Sequence, residues 1–454
     1  MITDLTQTHP KYTLWRFALP LFASVMFQQF YNLADSMIAG RFAGEEALAA
    51  VGASYPITVI FMAFAVGSNL GASVVVSRLF GAKRYGAVKS AVSTAFFACA
   101  ALSLALTLAG FFFCSSLMEL IRTPENIFAD GVLYLKIYVY GLVFLFVYNV
   151  CTGIFTALGD SKTPLYFLMG SSLGNIILDY WFVAGLRLGV AGVAWATFIA
   201  QGFSALLALF TLCRRLRTLP SGGAFRPFDP ALLSWICAIA IPSILQQSTL
   251  SIGNLFVQEI VNRYGSSTVA GYSAAVKLNT FAINCFMAFG SCLSSYTAQN
   301  LGAGRRDRLP LGFEAGARLC LIASIPFFIG YEFFGRALMG LFLGADSREA
   351  IGCGVEFLKI LGPMYFMISI KLMADGIIRG SGAMSFFVAA TIPDLLLRIL
   401  FANLLSPHFG SRGIWLAWPF GWVAATALTL LFYRWVIRGK TRFLKKTDSL
   451  ERIC

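Results

Sequence analysis

The stretch that decides the fold is residues 19–42, LPLFASVMFQQFYNLADSMIAGRF, because residues 241–264, IPSILQQSTLSIGNLFVQEIVNRY, repeat its outline 222 positions later. Positions that keep their character in both copies are Leu19/Ile241, Pro20/Pro242, Arg41/Arg263, Phe42/Tyr264, Gly81/Gly302, Ala82/Ala303, Leu135/Leu358, Gly153/Gly376 and Gly192/Gly413. An ordered set of matches at a nearly constant offset indicates an internal duplication. In an apolar chain, such a duplication is typical of transporters built from two bundles.

The composition is that of a membrane protein. Hydrophobic residues make up 58% of the chain and charged residues 12%, whereas ordinary soluble domains contain roughly 25% charged residues. Crossing a bilayer takes about 20 apolar residues per helix, and the long apolar stretches lack the alternation of barrel strands. Twelve spans are predicted, near 14–38, 50–77, 90–116, 132–157, 165–187, 189–212, 235–261, 268–298, 311–334, 355–378, 384–405 and 413–437. We therefore predict an all-α integral membrane protein with twelve transmembrane helices in two six-helix bundles related by pseudo-two-fold symmetry.

The net charge of +14 is distributed unevenly over the predicted loops. Clusters of Lys and Arg lie at both termini and on alternate loops, while the opposite loops hold isolated arginines. By the positive-inside rule, both termini are predicted to be cytoplasmic, and the protein is placed in the inner (cytoplasmic) cell membrane. Because the topology accounts for the positive charge, nucleic acid is not an expected partner.

The predicted domain organisation follows the duplication. The N-lobe covers 1–212, a cytoplasmic linker rich in Pro and Gly covers 213–231, the C-lobe covers 232–440, and a basic tail covers 441–454. The linker is expected to be a hinge-like tether between the bundles. Since the duplicate lies within one chain, we expect a monomer that needs no second copy to complete a two-lobed site.

The sequence contains little that could support catalysis. It has only two His and no HExxH or phosphate-loop motif, and the link between the bundles is too short to form a soluble domain. The turns at 81–84 and 302–305 are predicted to be helix ends and not phosphate loops. The chain is therefore expected to be neither an enzyme nor a receptor, and to hold no cofactor.

The informative residues are polar groups at membrane depth in the first half, namely Asp35, Asn175 and Asp179. Each ionisable residue there costs about 2.5–3.5 kcal/mol on the insertion scale, so a functional role is the first hypothesis. Asn175 and Asp179 are four apart and share a helix face. Two adjacent carboxylates would favour holding a proton, and the same oxygens would also suit Na⁺. A purely structural role, bonding helices together, is the alternative.

The second half does not copy these acids. Its polar residues opposite the first helix are Gln246, Gln247 and Asn254, with Glu259 near the outer end, and we predict that Gln246, Gln247, Asn254 and Asp375 line the substrate cleft. The pairs Lys371/Asp375 and Asp394/Arg398 are each four apart, which favours local ion pairs, with a substrate or gating role as the alternative.

The segments LPLFASVMFQQFYNLADSMIAGRFAGEEALAAVG, FGAKR and GIFTALGDSKTPL, with the copy GIIRGSGAM, resemble the multidrug and toxic compound extrusion (MATE) family. The resemblance extends over essentially the whole chain. It implies an antiporter whose two lobes form a V-shaped cleft and which exports organic cations or amphipathic drugs in exchange for H⁺ or Na⁺. In DinF-like members the coupling site lies in the N-lobe, and its residues match Asp35, Asn175, Asp179 and Thr197. The helix that carries an acid in NorM-type members has Gln246 to Asn254 here, so the resemblance favours the MepA-like branch.

The mechanism expected from these residues links one ion site to a movable helix. Uptake of H⁺ or Na⁺ at Asp35 and Asp179 would let the first helix rearrange and release the drug. Pro20 and Pro242 each remove a backbone donor, so they are the predicted conformational hinges. The alternative function is a lipid-linked precursor flippase of the same wider superfamily, which would use Lys277, Lys371 and Arg398 in a basic cavity.

Overall fold

The computed structural model describes residues 3–38, 45–220, 223–343 and 347–439, without the side chains of 33–38, 45, 46 and 48. Every regular element in these ranges is helical. In chain order the helices are α1 (Pro10–Ile38), α2 (Glu45–Gly81), α3 (Tyr85–Leu120), α4 (Glu125–Tyr140), α5 (Leu142–Ala157), α6 (Lys162–Asp179), a π-helical segment (Tyr180–Gly185), α7 (Gly189–Arg217), α8 (Pro230–Asn262), α9 (Ser266–Gly302), α10 (Arg308–Phe333), α11 (Gly335–Gly340), α12 (Arg348–Leu361), α13 (Met364–Gly380), α14 (Met384–Phe409) and α15 (Ser411–Ile437).

Most of these helices are long and apolar enough to cross a bilayer. Within the described ranges nine qualify alone, and counting the bent pairs α4/α5 and α12/α13 as one span each gives eleven. The twelfth is α1, whose 29 residues exceed the ~20 needed to cross the hydrocarbon core. The predicted all-α membrane fold with twelve spans is therefore confirmed.

Two predicted spans are bent where glycine or proline interrupts the backbone hydrogen bonds of the helix. The α4/α5 pair bends by 48° at Gly141, and the α12/α13 pair bends by 56° at Gly362 and Pro363. Proline lacks the amide proton that a continuous helix needs, and glycine favours a helix end. Because the two breaks occupy corresponding places in the duplication, each bundle contains one bent span.

The chain packs into two compact units. Among the described residues, the first contains Ala23–Ile244, and the second contains Leu5–Phe22 together with residues 245–439. Thus α1 and α8 each pass from one unit to the other two residues after Pro20 and Pro242. The lobe boundaries predicted from the sequence, at 212 and 232, fall inside α7 and α8 and remain a prediction.

Packing contacts explain why the units divide inside helices. In the first unit the beginning of α8 lies against α2, where a Cβ on Gly71 would approach the Ile236 carbonyl oxygen to 2.7 Å. In the second unit Phe22 of α1 stacks on Phe289 of α9 with ring centroids 5.2 Å apart. The first part of each copy's opening helix therefore packs on the second helix of the other copy.

The linker is more ordered than the predicted tether. Helix α7 continues to Arg217 and α8 begins at Pro230, so both ends of the predicted 213–231 linker are helical. The amides of Arg226 and Asp229 donate hydrogen bonds to Ser90 Oγ (2.9 Å) and Thr94 Oγ1 (3.0 Å) on α3. The second part of the linker is therefore fixed to the first unit.

The glycine turns are helix ends, as predicted. Lys83 and Gly304 have φ values of +59° and +71°, in the left-handed region common after a helix C-terminus. The following amide bonds back into the last turn in each copy, Arg84 N–H to Leu79 O (3.0 Å) and Arg305 N–H to Asn300 O (2.8 Å). This is the hydrogen-bond pattern of a Schellman motif.

A second repeated feature is a close helix crossing at Gly153 and Gly376. Gly153 of α5 lies directly against Asn69 of α2, and a Cβ on Gly376 of α13 would lie 2.5 Å from the Gly290 carbonyl oxygen of α9. A backbone oxygen cannot move away as a flexible side chain can. Gly376 is therefore a packing requirement, and Gly153 occupies the corresponding crossing in the first copy.

We expect Gly376→Ala to destabilise the protein by about 1–3 kcal/mol, the range for overpacking a tight contact. The matched control is Gly352→Ala on α12, where an added Cβ meets nothing within 4 Å. Thermal unfolding of both variants in detergent, followed by size-exclusion chromatography, tests this. Equal melting temperatures for the two variants would contradict the packing argument.

Candidate functional site

The site candidates Asn175 and Asp179 lie on one face of α6 and are buried. Their side chains are 3% and 1% exposed, although both sit in a segment that is otherwise apolar. Helix α6 ends at Asp179, and the π-helical segment begins at the next residue. Wide turns of this kind are rare and occur frequently at functional sites. The π-helical segment is a feature that the hydrophobic pattern did not predict.

A direct hydrogen bond joins α1 to this face. The Tyr31 hydroxyl donates to Asn175 Oδ1, while Asn175 Nδ2 is buried and has no acceptor among the described residues. A carbonyl oxygen has two lone pairs, so Oδ1 can accept from Tyr31 and still face a cation. Sequence reasoning did not single out Tyr31. The available signal was its position four residues, about one helical turn, before Asp35.

The other two predicted ion-site residues are placed differently. Asp35 lies on α1, and its side chain is outside the described part of the chain. Thr197 of α7 is half-buried and lines a cavity of about 10 Å³, the room of roughly one water, with Tyr134 and Tyr138 among its neighbours. Neither Asn175 nor Asp179 is among the residues that line this cavity.

Helix α7 nevertheless packs beside the site. Val183 of the π-helical segment contacts Val193 of α7, and Tyr134 of α4 packs against the same cluster. Tyr134 therefore borders both this cluster and the cavity that contains Thr197. The structure thus brings α1 and α6 together by a hydrogen bond, and α6 and α7 together by apolar contact.

The helices that carry the ion-site candidates contain no basic residue near them. The sequence has no Lys or Arg in 17–40, 163–186 or 188–213. A buried carboxylate requires a neutralising partner, because removing an ion from water is expensive. For Asp179, no such partner is supplied by a Lys or Arg within residues 163–186.

In the second unit, by contrast, both predicted intrahelical ion pairs are present. Lys371 Nζ lies 2.8 Å from Asp375 Oδ2, and Thr429 Oγ1 of α15 donates to Asp375 Oδ1 at 3.2 Å. Arg398 lies 2.9 Å from Asp394, with its guanidinium carbon 3.9 Å from the centroid of the Trp418 ring. Each of these buried carboxylates is thus neutralised by its own helix.

The predicted cleft residues of α8 differ in exposure, since Gln246 is buried, Gln247 half-buried and Asn254 exposed. Asp375, predicted to line the same cleft, is 1% exposed and held by Lys371 and Thr429. Asp375 could therefore contact a substrate only if its ion pair with Lys371 opened.

Comparison with known proteins gives a consistent result. The MatE family model matches residues 20–181 and 242–404, so the second match begins 222 residues after the first. The chain is 29% identical to "Probable multidrug resistance protein YpnP" of Bacillus subtilis (strain 168), over 95% of this chain and 96% of that protein. It is 27% identical to a "FAD transporter" of Shewanella oneidensis, over 89% and 90% of the two chains.

Solved structures share the fold. A MOP superfamily transporter from Pyrococcus furiosus Vc1 superimposes with a TM-score of 0.90 at 23% identity, over 97% of this chain and 98% of that one. At this level of identity the similarity establishes the fold and not the substrate.

We expect Lys371→Met to lower stability by about 3–5 kcal/mol, because it leaves the Asp375 carboxylate buried without its cation. The double variant Lys371→Met/Asp375→Leu should recover most of that loss, since an apolar pair replaces the ion pair. Thermal unfolding of Lys371→Met, Asp375→Leu and the double variant gives the coupling free energy between the two side chains. Additive effects would show that the pair does not act as a unit.

Proposed function

The chain belongs to the MatE family, and from that premise we propose that it is an antiporter that exports organic cations and amphipathic drugs in exchange for H⁺ or Na⁺. It works by alternating access, as a monomer in the cytoplasmic membrane with both termini in the cytoplasm. The match to one family model in both halves and the multidrug-resistance names of relatives such as YpnP support drug export.

The observation that carries the ion-coupling proposal is the hydrogen bond from Tyr31 of α1 to Asn175 of α6, one turn from buried Asp179. Asp35, Asn175, Asp179 and Thr197 form the proposed coupling site. The oxygens that these residues supply suit either a proton or Na⁺. No Lys or Arg occurs in the stretches 17–40, 163–186 and 188–213 around these candidates, and in this proposal the transported ion supplies the positive charge.

In the proposed cycle, binding of the ion and rearrangement of helix α1 occur together. In the outward-facing state Asp35 and Asp179 take up the ion, and their neutralisation removes the need to keep two carboxylates apart or solvated. Helix α1 then changes its contact with α6 through Tyr31, which weakens drug binding. Because one two-state element responds to both ligands, ion entry drives drug exit.

Pro20 and Pro242 are the proposed hinges. Each lies inside a continuous helix, two residues before that helix passes from one compact unit to the other. The missing amide proton makes bending easier at the place where packing partners change. Gln246, Gln247 and Asn254 follow the second hinge and are the proposed substrate contacts.

A lipid-linked precursor flippase is the weaker candidate. It would need a basic cavity, and two of the three cations considered for it, Lys371 and Arg398, are each paired with a carboxylate. Lys277 alone would remain to bind a polyanionic headgroup. Ethidium efflux from cells that express the chain, measured with and without a proton uncoupler, distinguishes drug export from flipping of a lipid-linked precursor.

The coupling proposal predicts that Asp35→Asn abolishes ion-driven efflux and that Asp179→Asn reduces it, because neither amide can carry the negative charge that binds H⁺ or Na⁺. Efflux of ethidium from energised vesicles should fall to the level of empty vesicles for Asp35→Asn, with a loss for Asp179→Asn that is complete or partial. Asp130→Asn on α4 is the control and should transport normally. Undiminished ion-dependent efflux by Asp35→Asn, with normal insertion, would refute the assignment.

Tyr31→Phe should retain transport but raise the ion concentration needed for half-maximal rate about fivefold. This figure corresponds to losing one hydrogen bond with a net value of about 1 kcal/mol. Tyr166→Phe, an exposed tyrosine on the same helix as Asn175, is the control. Proteoliposomes with separate H⁺ and Na⁺ gradients give the dependence and identify the coupling ion. An unchanged ion dependence would mean that Tyr31 does not act on the site.

A further inference from the structure

A basic cavity lies in the first unit, away from the proposed ion site. It has a volume of about 340 Å³ and is formed where the α2–α3 turn, the start of α3 and the linker meet. The residues that line it are Lys83, Arg84, Gly86, Ala87, Ser90, Gly223, Ala224, Arg226, Asp229 and Leu232. Three of these side chains are cationic and one is anionic.

The anionic residue, Asp229, is engaged in local structure. Its Oδ1 accepts the amides of Ala231 (2.9 Å) and Leu232 (3.3 Å) at the beginning of α8, which is the role of an N-cap. Its Oδ2 lies 3.6 Å from Arg226. Asp229 thus offsets one of the three positive charges that line the cavity.

The backbone around the cavity adds to its preference for anions. Helix α3 begins at Tyr85 and has no side-chain cap, and its first residues Gly86 and Ala87 line the cavity. The first amides of a 36-residue helix carry partial positive charge and lack intrahelical acceptors. This contribution supplements the three cationic side chains.

In the second unit, the α9–α10 turn corresponds to this α2–α3 turn, and a segment of the chain itself covers it. There the segment Leu5–Thr8 lies on the α9–α10 turn. Arg305, the counterpart of Arg84, donates to Thr6 O at 2.7 Å, and Arg308 donates to Thr8 O. The peptide carbonyls of the chain itself supply the acceptors.

In the described part of the first unit, the covering segment is arranged differently. Its covering segment, the linker, turns two amides toward α3, with Arg226 N–H on Ser90 and Asp229 N–H on Thr94. Moreover Lys83 stands where the second copy has Gly304, which adds a cation. The turn of the first unit, with Lys83 and Arg84, therefore borders an open cavity.

We propose that this cavity binds a phosphate group, carried either by an anionic phospholipid headgroup or by a soluble phosphate. Lys83, Arg84 and Arg226 supply charge-assisted hydrogen bonds to the phosphate oxygens, and the first amides of α3 supply further donors. The position at the ends of two membrane-crossing helices gives access to the headgroup layer. The proposal does not depend on drug transport or on the identity of the coupling ion.

The test uses the full-length protein, purified and delipidated in detergent. Two phosphate probes are titrated separately, dihexanoyl phosphatidylglycerol and inorganic phosphate, with binding followed by native mass spectrometry and thermal shift. Lys83→Glu/Arg226→Glu should weaken binding of the active probe by at least about tenfold, because both charges are reversed. Lys162→Glu, at an exposed basic position on α6 that does not line the cavity, should bind as the parent does.

The two probes identify the source of the phosphate. Saturable binding of the lipid alone assigns a headgroup site, and binding of inorganic phosphate assigns a site for soluble phosphate. Absence of binding by both probes, or equal weakening by Lys162→Glu, would overturn the proposal. Lys83→Gln serves if the double variant unfolds, since Lys83 is exposed, and unchanged affinity in that variant would also overturn it.

Discussion

The absence of water in the bilayer core is the constraint on which the rest of this structure depends. Every backbone amide and carbonyl must find its partner inside its own helix, which is why the described chain is helical throughout and why its spans lack strands. The same constraint limits where a span can break. The two bends fall at Gly141 and at Gly362 with Pro363, corresponding places in the duplication.

Because water is absent, buried carboxylates also need a partner inside the protein, and the two halves of the chain differ in how they provide one. In the second unit Asp375 and Asp394 are neutralised by Lys371 and Arg398 from their own helices, so these carboxylates are stable without an external ion. In the first unit the helices of the proposed ion site carry no basic residue around their acids. Intrahelical cations for buried carboxylates are therefore a feature of α13 and α14, and residues 163–186 of the first unit contain none.

Divergence between the copies extends to the turns after their second helices. The backbone geometry is the same at Lys83 and Gly304, yet carbonyls of Leu5–Thr8 cover one turn, while the linker borders a basic cavity at the other. Symmetry thus persists in backbone hydrogen bonding and close helix crossings, where geometry is demanding. It is lost in the charged side chains, which can change without altering the fold.

The sequence by itself determined the twelve spans, the duplication at 222 residues, the helix-ending turns and the intrahelical ion pairs, because each depends on local spacing and on apolar length. It also drew attention to Asn175 and Asp179, since polar residues at membrane depth are rare. Only the tertiary structure decided that Tyr31 binds Asn175, that α1 and α8 change units after Pro20 and Pro242, and that the linker is fixed to α3. These contacts join residues far apart in the chain, and helical periodicity contains no information about which distant surfaces will meet.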